Sequence, residues 1–148
     1  MKFDIELVGK IGSMALINKE NNILDYTLIA RLSSELKPGY IWVTSGAAET
    51  GRLDYIKRNG KELKGTAEDV KTDYAAQGQS ILMSTYRQYV DSKYSLRQIL
   101  VEHQHFNEDE KRNLYFKQIL SEIQPDDIVA LYFHGDLSYL SDILKNLE

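Results

Sequence analysis

A three-layer α/β/α fold with a largely parallel central sheet is what this sequence predicts, on three observations. Short apolar runs of strand character alternate with longer segments whose apolar residues recur at helical spacing. The stretches between successive strands are long enough to hold crossover helices, which parallel pairing requires. Two of the strands also run directly into glycine-containing turns, and in open α/β sheets ligands collect outside the carboxyl ends of the strands.

Phe3, Ile5 and Leu7 alternate with Asp4 and Glu6, so a first strand is expected over 3–9. Asp25 suits the N-cap of a helix over 26–37, with Leu28, Ile29, Leu32 and Leu36 as its apolar stripe and Pro38-Gly39 as its stop. Tyr40-Ile41-Trp42-Val43-Thr44 reads as a short buried strand that passes straight into Ser45-Gly46-Ala47-Ala48, where a helix reaching Arg58 begins. The polar stretch Asn59–Gly65 is a surface loop, and Thr66 with an acidic residue three positions on caps a long helix to Val90. A third strand is expected over Ser95–Glu102. Asn107 with Glu110 opens a helix that closes before Pro125, Asp127–Phe133 forms a fourth strand, and Leu137–Leu147 a final helix.

The composition fits one ordinary globular domain over 1–148, with 43% hydrophobic and 27% charged residues among 148. A net charge of −4 offers no general attraction for phosphate backbones, so nucleic acid is not an expected partner. The absence of cysteine excludes disulfides and thiolate metal sites. No stretch approaches 18 apolar residues, and Met1-Lys2-Phe3-Asp4 is not followed by the apolar core of a signal peptide. A cytoplasmic protein without membrane association is the expectation.

The chemistry-bearing segments are the two turns. In Gly9-Lys10-Ile11-Gly12-Ser13, glycines let the backbone approach a ligand and turn N–H groups toward it. Lys10 supplies a compact positive charge and Ser13 a hydroxyl donor. A plain turn after an edge strand fits the same residues. Thr44-Ser45-Gly46-Ala47 places two hydroxyls and a glycine at a helix start, which makes an anion site. An ordinary N-cap, with Ser45 or Thr44 satisfying free amides, fits them too. Their order and spacing together say more than either alone.

On those residues the chain resembles the amino acid kinase family, which includes glutamate 5-kinase, aspartokinase, carbamate kinase and bacterial uridylate kinase. Val8–Ser13 and Val43–Ala47 look like that family's opening. Tyr74-Ala75-Ala76-Gln77-Gly78-Gln79, Phe106-Asn107 and Lys111-Arg112-Asn113 resemble the glutamate 5-kinase branch, and Asp73 resembles the aspartate that holds the UMP ribose in uridylate kinases. The likeness runs over 5–120. It implies the N-terminal part of the amino acid kinase fold and in-line transfer of the ATP γ-phosphoryl group to an acidic oxygen. Magnesium would accompany the ATP. Lys10 would be the catalytic lysine, Gly9, Gly12 and Ser13 would hold phosphate, and Thr44, Ser45, Gly46 and Ala47 would cradle the acceptor. Arg52 and Asp73 would add contacts to UMP, the preferred acceptor, with a glutamate-type carboxylate as the alternative. A non-catalytic nucleotide- or anion-binding module is the competing reading.

The family carries two mononucleotide-binding halves, and the half that holds adenine, a further phosphate lysine and an organising aspartate has no counterpart here. The chain therefore reads as an N-terminal lobe. Where the family has Asn-x-Asn-Asp, this chain has Phe133-His134-Gly135-Asp136, which matches only the aspartate.

The remaining features have plainer readings. Arg52 suits a solvated helix charge, Asp73 a favourable partner for a helix dipole, and Gly78 a close approach between elements. His103, His105 and His134 read as structural or surface histidines, so no metal site is expected. Tyr86, Tyr89 and Tyr94, like Tyr115-Phe116 and Tyr132-Phe133, read as core and interface material, consistent with a homo-oligomer.

Overall fold

The computed structural model of the chain describes residues 7–101, 110 and 127–133. The helices expected beyond Asn107 and from Leu137, the three histidines, Tyr115-Phe116 and residues 134–136 lie outside the described residues, Glu110 excepted. The chain divides into two units, one of Met1–Lys10, Leu36–Thr44 and Ser92–Glu148, the other of Ile11–Glu35 and Ser45–Asp91.

Apart from Ile11, the first unit holds a four-stranded sheet made by β1 (Leu7–Ile11), β4 (Tyr40–Thr44), β5 (Ser95–Val101) and β6 (Asp127–Phe133), in the order β1-β4-β6-β5. β6 pairs in parallel with β4, Ile41 opposite Val129 and Thr44 opposite Tyr132, and with β5, Ser95 opposite Asp127. Parallel pairing joined by long connections is the arrangement the alternating pattern predicted. In β4 the period of two is visible as burial: Ile41 and Val43 are buried while Tyr40 and Trp42 are half-buried. Trp42 also explains Gly9 on the neighbouring strand. A Cβ there would sit 2.5 Å from the indole Cζ3 and 2.8 Å from Cε3, so glycine makes room for the ring. Before β4, Gly39 takes φ 90°, and Tyr40 N–H donates to the Lys37 carbonyl at 3.1 Å. This turn ends the helical segment two residues earlier than its apolar stripe suggested.

The second unit is helical. It contains α1 (Tyr26–Glu35), α2 (Ala47–Asn59) and α3 (Ala67–Tyr89), with a 3-10 turn at Ser13–Leu16 and a small hairpin of β2 (Ile17–Asn18) and β3 (Ile23–Leu24). The hairpin was not anticipated. Asn18 Oδ1 accepts from the Glu20 and Asn21 amides at 3.1 and 3.3 Å, and Asn22 takes the left-handed φ of 51° that closes the turn. Of the predicted caps, those at Asp25 and Thr66 form. Asp25 Oδ1 accepts from Leu28 N–H at 3.0 Å, and Thr66 Oγ1 from Asp69 N–H at 3.2 Å. Thr66→Ala is expected to cost the second unit about 1 kcal/mol, read as a lower denaturant midpoint at unchanged slope.

α2 and α3 run antiparallel and touch backbone to backbone. A Cβ on Gly51 would overlap the carbonyl oxygen of Tyr74, and one on Gly78 would overlap the carbonyl oxygen of Ala47 and the amide nitrogen of Gly51. Gly78 is thus explained by packing, and Tyr74, Leu82 and Tyr86 are buried along the same helix. From α1, Ile29 and Ser33 are both fully buried, one helical turn apart, while Leu28 and Leu32 are only half-buried. Tyr74 stacks edge-on with Tyr55, ring centroids 5.9 Å apart, and its hydroxyl accepts from Leu63 N–H at 2.7 Å, fixing the loop between α2 and α3. No described helix is long and apolar enough to cross a membrane.

Candidate functional site

The sequence pointed to two turns after strands, and in the second unit the Ile11–Ser13 and Ser45–Ala47 parts of those turns meet. β1 ends at Ile11, Gly12 continues in extended conformation (φ −78°, ψ 156°), and the 3-10 turn follows, with Ala15 N–H donating to the Gly12 carbonyl at 3.2 Å. Beyond β4, Ser45 donates twice to the Ile11 carbonyl oxygen, from its backbone N–H at 3.3 Å and its hydroxyl at 3.0 Å. The residue after β4 is therefore clamped to the last residue of β1, and both strands end on the same side.

This clamp decides what Ser45 does. Its hydroxyl does not cap the helix. Gly46 is the N-cap of α2, in the left-handed region at φ 104°, and glycine brings no side-chain oxygen to the first-turn amides. A Cβ at Gly46 would lie 3.1 Å from Leu16 Cδ1 and 3.5 Å from Ser13 Cα, so backbone angle and close approach both select glycine. The first helical bond runs from Thr50 N–H to Gly46 at 2.9 Å. The positive end of a 13-residue helix thus begins against the Gly12-Ser13 turn. Gly12 differs from the other described glycines: its φ suits any residue, and a Cβ there would meet nothing within 4 Å. Neither strain nor packing accounts for it.

The other candidate residues are placed as follows. Lys10 is exposed on β1, Gly9 faces Trp42, and Thr44 is fully buried at the end of β4, all three in the first unit. Ala47 is buried, its carbonyl against Gly78. Arg52 is paired with two carboxylates. Its Nε and Nη2 hold the two Glu49 oxygens at 3.0 and 2.7 Å, and its Nη1 reaches Glu62 Oε1 at 2.7 Å. Hydrogen bonding to Glu49 raises the guanidinium's pKa above its ordinary value, against the opposing cost of burial, and Glu62 adds to the rise, so Arg52 is a cation at every accessible pH. Asp73 is the seventh residue of α3, beyond the turn where the helix dipole acts, and accepts a hydrogen bond from Gln77 Nε2. Gln77 Oε1 in turn accepts from Arg58 at 3.4 Å, and Arg58 pairs with Asp54 at 2.9 Å. Arg52 and Asp73 thus serve the α2–α3 pair, whereas Gly12, Ser13, Ser45 and Gly46 come together at the turns.

Chemically, the turns suit an anion such as a phosphoryl group or a carboxylate, received by backbone amides at a helix start. Among the described residues no group of three or more His, Cys, Asp or Glu could hold a metal ion. A magnesium ion arriving with a nucleotide would take most of its oxygen ligands from phosphates and water. Compared with models of known protein families and with curated proteins, the chain matches none.

Proposed function

We propose that the chain carries the acceptor side of an ATP-dependent phosphotransferase of the amino acid kinase type, with the clamped turns at Gly12-Ser13 and Ser45–Ala47 receiving the anionic group. The observation behind this reading is Gly12: a glycine that neither backbone strain nor packing requires, in the turn clamped to the start of an uncapped helix. In the proposed reaction an acidic oxygen of the acceptor attacks the γ-phosphorus in line and ADP leaves. The protein contributes positioning and the positive end of the helix dipole. The nucleotide supplies the phosphoryl group with magnesium on its phosphates.

UMP is the acceptor that Arg52 and Asp73 suggested. A glutamate-type carboxylate gains support from the geometry, because both residues already have partners within the protein. Gln79, of the Gly-Gln pair resembling the glutamate 5-kinase branch, keeps a buried side-chain nitrogen without a hydrogen-bond partner.

Gly12→Ala is the discriminating experiment. The thermal midpoint is expected to stay within the small change typical of a surface site. Affinity for UMP, glutamate or inorganic phosphate, followed through the Ala47 and Ala48 amide resonances, is expected to fall on the order of tenfold or more, as when one charge-assisted hydrogen bond is lost. If none of the three ligands moves those resonances in the unaltered protein, the anion site is wrong. If ligands bind but no ADP forms from Mg-ATP with any acceptor, the chain is an anion-binding module and not an enzyme by itself.

A further inference from the structure

We propose that the Asn59-Gly60 peptide is a spontaneous deamidation site held shut by the last turn of α2. This is the only Asn-Gly pair in the sequence. Glycine has no Cβ to obstruct attack by its own backbone nitrogen on the preceding side-chain amide. In that attack Gly60 N forms a bond to Asn59 Cγ and ammonia leaves, closing a succinimide. Water then opens either carbonyl, giving aspartate or isoaspartate at position 59. No electrons are exchanged, and solvent is the only co-reactant.

Both reacting groups are restrained. Gly60 N–H, which must lose its proton, donates to the Ile56 carbonyl at 2.7 Å. Asn59 Nδ2, part of the leaving amide, donates to the Tyr55 carbonyl at 3.0 Å. Asn59 is the last helical residue, and Gly60 sits in the left-handed cap at φ 72°. Yet both residues are exposed, so water and base reach them as soon as the turn opens, and helix ends open locally at low cost.

Conversion would act on the elements already described. It places a carboxylate at the negative end of the α2 dipole and removes the donor to Tyr55. The isoaspartyl product also lengthens the backbone just ahead of the loop whose Glu62 holds Arg52 and whose Leu63 N–H binds Tyr74.

The full chain is incubated in mildly alkaline buffer, folded or in urea above its unfolding transition, and position 59 is followed by peptide mass mapping. Conversion in the unfolded chain is expected to run about 10- to 100-fold faster than in the folded protein, the factor two modest hydrogen bonds supply. Equal rates in the two conditions would overturn the restraint. Conversion of Asn21 or Asn22 ahead of Asn59 in urea would overturn the assignment of the site. Gly60→Ala, compared in urea where its fold is irrelevant, should slow conversion severalfold; an unchanged rate would overturn attack by the Gly60 nitrogen.

Discussion

Gly78→Ala is expected to destabilise the protein by about 3 kcal/mol or more, lowering the thermal midpoint by roughly 10 °C. Helix propensity alone would predict the opposite, a gain of about 1 kcal/mol for alanine over glycine in a helix interior. Packing outweighs it, because the added methyl would overlap main-chain atoms of Ala47 and Gly51, and no rotamer change can move a main chain aside. Either α2 backs away along its length, losing the edge contact between Tyr55 and buried Tyr74, or the helix start at Ala47 shifts. Gly51→Ala should behave alike, since its methyl would meet the Tyr74 carbonyl. Ser80→Ala, at an exposed position of the same helix, is the control and should change stability little. Equilibrium denaturation of the three variants decides the matter: a Gly78→Ala protein as stable as its parent would refute the backbone contact.

Leu16→Ala carries the second large effect. Leu16 is fully buried, so truncation removes transfer free energy and leaves a cavity, together about 2–5 kcal/mol. Its Cδ1 also lies where a Gly46 side chain would have to go, which makes a double-mutant cycle informative. Gly46→Ala alone suffers the φ of 104° and the crowding against Leu16. In the Leu16→Ala background the crowding is relieved while the backbone strain stays. The double variant should therefore lose less than the sum of the two single losses, with a coupling on the order of 1 kcal/mol. Strict additivity would show that Leu16 and Gly46 do not share that space.

Much of this architecture was legible from residue types acting locally. Asp25 and Thr66 cap the helices their positions announced, because a side-chain oxygen before an amphipathic run has few better partners than the first amides. The strand Tyr40–Thr44 has the expected bounds, with a glycine turn before it and a helix start after it. The short hairpin was missed, since two-residue strands show no alternation and its only signal is the asparagine chemistry at Asn18 and Asn22. Partners distant in sequence were illegible for a different reason. Glu49 is three residues from Arg52 and lies within helical reach. Glu62 is ten away, and only the loop's path brings it there. Likewise the glycines at 9 and 78 stood out as glycines, but nothing local names Trp42 or Ala47 as their neighbours. At the candidate site, the pattern marked the two turns. That Ser45 would spend its hydroxyl on the Ile11 carbonyl depended on where the two strands end.

The glycine crossing of α2 and α3 works like a key in a slot. Side chains that interdigitate can trade rotamers and let two helices slide by a fraction of a turn, but a contact made by main-chain atoms has no movable teeth. A one-residue slip would bring Thr50 or Arg52, or on the facing helix Gln77 or Gln79, to a place where no Cβ fits. The axial position of α2 is consequently indexed, and the height of its first turn is set from α3. The residue before that turn is held as well, by the Ser45 clamp on the Ile11 carbonyl and the close approach of Gly46 to Leu16, so the start of α2 is fixed from both sides.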